Sequence, residues 1–131
     1  MSISCPNKAE LLLLQYIVGL VKPNNPVIAL YSNDLDPDEG TTKSDFTVST
    51  EAGYKSKTLT STAWTTTLSG NTSTAVYSQE TFSFTTGADV YGYFITDTAG
   101  ELLWCERFTG APFQLPTGGG TIAISPRVTL D

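Results

Sequence analysis

Between Asp89 and Phe108 the chain reads DVYGYFITDTAGELLWCERF, two runs of apolar and aromatic residues joined through Thr98, Ala99 and Gly100. A short connection with glycine at its last position is a common hairpin form. On simple alternation, Val90, Phe94 and Thr96 share one face and Tyr91, Tyr93 and Ile95 the other. On the partner run, Leu102 and Trp104 oppose Leu103 and Cys105. Neither face is polar. An antiparallel ribbon with one wet face would alternate cleanly between apolar and polar residues. This ribbon therefore needs cover on both sides, one face from a second sheet and the other from a helix or another chain. That requirement limits the chain to a layered fold and predicts self-association.

The other segments fit such a fold. VIALYS (residues 27–32) reads as a core strand. DFTVST and YKSKTLT alternate, AWTTTLSG and AVYSQ flank the polar turn GNTST, and TFSF places Phe82 and Phe84 on one face. PFQLP, a slack TGGG connection and TIAISPRVTL close the chain. The 21 Thr and 12 Ser suit half-wet strands and turns. The one helical pattern lies at the start, in LLLLQYIVGLV. Asn7 and Glu10 have capping-box spacing and Pro23 stands where the pattern stops. Lys8, Gln15 and Lys22 recur every seven residues as a thin polar stripe, so most of the helix circumference must be covered. Leu11 to Val21 is too short for a bilayer and lacks the flanks of a signal peptide. The expected fold class is all-β, an antiparallel β-sandwich, jelly-roll-like, with one N-terminal helix. Residues 1–131 are expected to form a single domain, with the helix in 1–23 and the β-sandwich in 26–131.

Reactive chemistry finds little to work with. The 131 residues contain no histidine, which removes Ser–His and Cys–His nucleophilic sites, the usual zinc sites and the commonest general base. A formal charge of −6 without a basic run speaks against nucleic-acid binding. Cys105 sits in an apolar strand and reads as a small buried hydrophobe, and a disulfide to Cys5 is the lesser reading. In SNDLDPDEG, Asp34, Asp36, Asp38 and Glu39 crowd together like the start of a calcium loop. An EF-hand counted from Asp34 needs Gly at position 6 and Glu at position 12, where this chain has Glu39 and Asp45. The flanking helices are missing too, so the count favours a solvated acidic loop. TGGGT lacks the lysine and following helix of a phosphate cradle. Asn71 heads a glycosylation sequon by chance in a turn. Glu106 and Arg107 face opposite ways on one strand, with a rim ion pair as the default and a pair to a partner chain as the alternative. Tyr31, Tyr54 and Trp64 suit a core better than a sugar platform. No catalytic, cofactor-binding or metal-binding residues are expected.

Several stretches resemble a family of small structural proteins of tailed bacteriophages. They are LYSNDLDPDEGTTKSDFTVSTEAGYKSKTLT, TFSF, VYGYFITDTAGELLWCERF and the closing GGGTIAISPRVTL, and together they span nearly the whole chain. The hairpin, Val90 to Asp97 and Leu102 to Phe108, is the most specific part. Cys105 stands where Ala is usual, and the glycine triplet replaces a Gly-Asp type turn. The resemblance implies a non-enzymatic virion protein, most simply a head decoration (cement) protein on the capsid surface. Its implied partners are the major capsid protein and copies of itself, in a homo-oligomer of trimeric type, with no nucleic acid, membrane or cofactor. The alternative is a tail- or fibre-associated receptor-binding module. Leu12, Tyr16 and Leu20 on the helix and Tyr91, Tyr93, Leu103 and Trp104 on the hairpin are the expected interface residues.

Overall fold

Both faces of the hairpin are covered, though not by the residues that simple alternation assigns. A computed structural model describes residues 3–130. The elements are β1 (Ile3–Ser4), α1 (Asn7–Ile17), β2 (Val27–Tyr31), β3 (Lys57–Thr58), β4 (Trp64–Ser69), β5 (Thr72–Tyr77), β6 (Glu80–Phe84), β7 (Ala88–Val90), β8 (Gly92–Thr96), β9 (Leu102–Arg107), β10 (Phe113–Leu115), β11 (Gly120–Ile124) and β12 (Arg127–Leu130). Every strand pairing is antiparallel, and α1 is the one α-helix among the described residues. The fold is mostly β with a single N-terminal helix, as the sequence predicts.

The central sheet has the order β1-β9-β8-β2-β3. Opposite it lies a second layer of short ladders, β12-β5-β4, β11-β6 and β10-β7. A bend at Ser78 and Gln79 splits β5 from β6, and Ser125 and Pro126 split β11 from β12. The Tyr77 N–H donates to the Pro126 carbonyl at 2.9 Å, which carries the ladder across that bend. Ile28, Leu30, Tyr93 and Ile95 from the central sheet share one buried cluster with Tyr77, Phe82, Phe84, Ile122 and Ile124 from the second layer. Two antiparallel layers closed over such a core make a sandwich-like arrangement.

Two irregularities invert the expected sidedness of the hairpin. The ladder breaks at Tyr91, between β7 and β8, so Val90 joins the inter-sheet cluster with Tyr93 and Ile95, while Tyr91 packs with Phe94 on the other face. On β9, Ile95 pairs with Trp104 but Thr96 pairs with Leu102, which leaves Leu103 as an extra residue in a β-bulge. Leu102 therefore shares a face with Cys105, and Leu103 with Trp104. A single inserted residue turns every side chain beyond it to the opposite face.

The second face of the central sheet is closed mainly by the irregular segment after β2. Phe46 stacks on Phe94 with ring centroids 4.5 Å apart and meets Tyr31 at 4.9 Å. Leu35 packs beside them. The acidic loop is part of this cover. Arg107 Nη2 pairs with Asp34 at 2.6 Å, Arg107 Nη1 donates to the Leu35 carbonyl at 2.9 Å, and the guanidinium lies 5.3 Å from the Tyr91 ring centre. The Asp38 carboxylate accepts from the Gly40 N–H at 2.8 Å, and Asp45 accepts from the N–H and hydroxyl of Thr42 at 2.7 and 3.0 Å. Among the described residues, no three Cys, Asp or Glu side chains converge where a metal ion could sit.

The helix departs from expectation at both ends. Asn7 is its first helical residue rather than its cap, Pro6 precedes it, and no capping box joins Asn7 to Glu10. The Asn7 N–H instead donates to the Glu39 carbonyl at 3.2 Å. The helix stops at Ile17, well before Pro23. Gly19 takes φ +77°, its N–H bonds Tyr16 O at 3.2 Å, and the Leu20 N–H bonds Gln15 O at 2.9 Å. That pair of bonds is a Schellman closure, which needs a residue without a Cβ at the left-handed position. The TGGG stretch also differs from a slack connection, since the Gly119 N–H closes a tight turn onto Pro116 O at 2.8 Å. Cys105 is buried and not joined to Cys5.

Candidate functional site

Helix α1 packs against β9, yet only Ala9 and Leu12 along it are buried, at 1% and 8% exposure. Leu11, Leu13, Leu14, Ile17, Val18, Leu20 and Val21 all remain exposed, with Ile17 at 79% and Leu20 at 77%. The reason lies in the sequence. A helix that is apolar nearly all round can turn only one strip toward its own sheet, and here that strip is two small contacts three residues apart. The rest of the apolar surface is left over.

This surface borders a groove of about 620 Å³ where the flank of α1, the segment Pro23–Pro26, the starts of β4 and β9 and the end of β12 converge. Its lining includes Cys5, Leu13, Tyr16, Pro23, Pro26, Trp64, Leu103, Trp104, Val128 and Leu130. Trp64 meets Trp104 edge to face with centroids 6.2 Å apart, and its other side contacts Tyr77 at 5.1 Å. The Trp104 indole N–H is buried and meets no acceptor in hydrogen-bond geometry, although the Tyr93 hydroxyl feels it as a nearby donor. The β-bulge matters here, because it puts Leu103 and Trp104 on the same side and so gives the groove two adjacent walls. Asn24 Nδ2 donates to Thr98 Oγ1 at 3.1 Å and ties the segment after the helix to the hairpin turn. The Cys5 thiol points at the Leu103 carbonyl, 3.9 Å away. Burial, seconded by Glu10, pushes its pKa up, so it stays a neutral thiol. Burial and the Asp97 charge likewise raise the Tyr16 hydroxyl.

Of the seven expected interface residues, the structure brings Tyr16, Leu103 and Trp104 together in this groove. Leu20 is exposed just past the helix end and does not line the groove. Leu12 is a buried helix contact, and Tyr93 belongs to the inter-sheet core, so neither forms outer surface of this chain. Tyr91 lies half-buried on the opposite face, under the Arg107 guanidinium. Trp64, expected in the core, packs half-buried against it and also lines the groove, as do Val128 and Leu130, which the sequence pattern did not mark. Trp64 carries a usable signal, a bulky aromatic heading a strand in which Leu68 is the one other apolar residue. Val128 and Leu130 carry none, since they alternate as core residues would.

The buried polar groups are few. The Tyr93 hydroxyl donates to Glu106 Oε2 at 2.5 Å across the β8–β9 ladder. Burial and then that carboxylate drive the Tyr93 pKa far above its ordinary value. Burial does the same for Tyr31, against a smaller opposing pull from Arg107. The Tyr54 hydroxyl accepts from the Leu30 N–H at 2.8 Å while its ring stacks near Phe82 and Phe84, which makes it a core residue rather than a sugar platform. No helix among the described residues is long and apolar enough to cross a membrane. Comparison with protein-family models, with curated proteins and with solved structures finds no match for the chain in any of the three.

Proposed function

We propose that the protein works by adhesion, as a structural component of a tailed-bacteriophage virion that decorates the capsid shell and reinforces it, acting as a homo-oligomer. One observation carries the adhesive reading: the unburied apolar face of residues 11–21, continuous with the tryptophan-lined groove. The seven exposures amount to on the order of four fully exposed aliphatic residues, roughly 700 Å², close to the ~800 Å² that each partner buries in a standard specific interface. A lone soluble domain rarely leaves such a patch uncovered. Charge supports contact between copies at this place. On a chain of net charge −6, the segment holding the patch carries Lys8 and Lys22 against Glu10 alone, so it does not share the acidic excess that would repel a second copy.

The viral assignment rests on the resemblance of the hairpin and its flanks to phage structural proteins. A shell-reinforcing protein has no need of a reacting group. It needs a rigid layered core, an adhesive face, and an acidic exterior that does not compete for the packaged genome. Contacts that are weak singly become strong when symmetry repeats them over a shell.

The test is to incubate the purified protein with undecorated heads of the phage that encodes it and to image the mixture by electron cryomicroscopy. Added density at the symmetry axes is expected. Bare heads at saturating protein would overturn the decoration reading, and density on isolated tails under the same conditions would replace it with a tail assignment.

A further inference from the structure

A second cavity, of about 340 Å³, opens on the opposite margin of the sandwich, between the end of β9, the loop leading into β10, and β11. Tyr93, Glu106, Phe108, Phe113 and Ile122 are among the residues that line it. Tyr93 and Glu106 are buried, at 2% and 8% exposure, whereas Phe113 stands 49% exposed at the rim. Glu106 is out of keeping with these surroundings. Taking a carboxyl group out of water is costly unless a counter-charge and hydrogen bonds replace the lost solvation. Tyr93 supplies one hydrogen bond, to Oε2, and no Lys or Arg among the described residues pairs with Glu106. Arg107, the nearest cation in sequence, is turned to the other face of the sheet and engaged with Asp34. A structural pair that served only the core would be simpler as two apolar side chains.

We propose that this cavity is a socket for a primary ammonium group on an alkyl stem, a lysine side chain presented by a partner protein. The walls fit the stem and the floor fits the head. Four methylenes pack against Phe108, Phe113 and Ile122, and the ammonium reaches the Glu106 carboxylate with the aromatic faces beside it. Lysine fits better than arginine, because Tyr93 already occupies one carboxylate oxygen and leaves a single oxygen for a compact point charge rather than a pair for a planar fork. The proposal is independent of what the apolar groove docks against and of whether that surface is viral.

The full-length protein, isotopically labelled, is titrated with Nα-acetyl-lysine methylamide while its amide spectrum is recorded. Matched titrations use the norleucine analogue, which keeps the stem without the charge, and putrescine, a free diamine. Saturable shifts confined to residues around 106, 113 and 121–125 are expected with the lysine compound, at least about tenfold tighter than with norleucine. Glu106→Gln is expected to abolish that preference. Phe113→Ala, at an exposed position that leaves folding undisturbed, is expected to weaken lysine binding severalfold and keeps the test usable should Glu106→Gln not fold. No saturable shift with the lysine compound, or equal binding of norleucine, overturns the socket. Putrescine binding more tightly than the lysine compound overturns the protein source in favour of a free diamine.

Discussion

The β8–β9 hairpin and helix α1 carry the same message in sequence, apolar residues on every side, and meet opposite fates. All five residues of β8 are buried, between a second β layer on one face and Phe46 with Leu35 on the other. The helix and the turn that follows it bury only Ala9 and Leu12 and leave seven large apolar side chains between Leu11 and Val21 in solvent. The difference is one of geometry. A strand offers two faces, and a layered fold has an element for each. A helix offers a full circumference, of which one sheet covers a strip. Apolar composition thus states that cover is required, while topology decides whether the same chain provides it.

The contrast is sharpest where truncation is most costly. Phe94→Ala, which removes a 2%-exposed ring stacked on Phe46, is expected to cost about 3–5 kcal/mol of unfolding free energy. Gly92→Ala is expected to cost at least about 3 kcal/mol, because a Cβ there would lie 2.1 Å from the Glu106 carbonyl oxygen and 2.7 Å from the Tyr31 hydroxyl. Urea denaturation followed by tryptophan fluorescence measures both. A loss under about 1 kcal/mol for Phe94→Ala would mean that the second face is not a packed core.

On the helix the same kind of change is expected to read out in association. Leu14→Glu combined with Ile17→Glu is expected to leave monomer stability within about 0.5 kcal/mol and to weaken self-association at least about a hundredfold, or ~2.7 kcal/mol. Sedimentation velocity over a concentration series checks this. A wild-type protein that stays monomeric at high micromolar concentration removes the homo-oligomer. A double variant that unfolds instead would show the helix face to be internal after all, and the comparison with the hairpin would dissolve.

These fates were legible in part. The period-two runs, the Gly-terminated hairpin connection and the helical stripe give the elements and the fold class, because each rests on local periodicity and turn chemistry. The sidedness of the hairpin was not legible. The break at Tyr91 arises where β7 and β8 pair with different neighbours, the bulge at Leu103 is an extra residue within the β8–β9 ladder, and no residue type announces either. The helix end was legible through Gly19, yet Pro23 gives the louder stop signal. The cover on the second face was hidden for another reason. Phe46 and Leu35 are isolated apolar residues in a polar, acidic stretch, and only the tertiary fold shows that they plug a sheet. Three of the seven expected interface residues meet in the groove because the bulge places Leu103 beside Trp104, while Tyr93 goes inward by the same mechanism that brings Val90 to its side.

That plug is held by fewer and weaker ties than the inter-sheet core, which places the next effect on a smaller scale. Arg107 pairs with Asp34, donates to the Leu35 carbonyl and lies over Tyr91. Arg107→Ala is expected to cost about 1–2 kcal/mol through the lost carbonyl bond and ring contact together with the ion pair. Asp34→Asn is expected to cost under about 1 kcal/mol, since Asp34 is largely exposed and water screens the pair. Hydrogen exchange of amides in residues 32–49 is expected to quicken in the arginine variant and stay near wild type in β8. Uniform quickening across both regions would show that the loop and the hairpin open as one unit.

The smallest expected effect lies at the end of the same loop and has a definite sign in pH. Hydrogen bonds from the N–H and then the hydroxyl of Thr42 hold the Asp45 carboxyl below its ordinary value of 3.8. A carboxyl whose pKa is lower in the folded chain than in the unfolded chain adds stability that is present above the unfolded value and is lost as pH falls through the folded one. Unfolding free energy is therefore expected to fall from about pH 4 downward, with Asp45→Asn slightly less stable than wild type between pH 5 and 8, converging with it in acid and so flattening that limb. Because Phe46 follows Asp45 directly, the acid limb should appear first in the stacking of Phe46 on Phe94 and only later in the inter-sheet cluster. Near-ultraviolet circular dichroism against tryptophan emission separates the two. Coincident transitions would mean that the irregular cover and the β layer share one cooperative unit, and that the two faces of the hairpin are more alike than their coverings suggest.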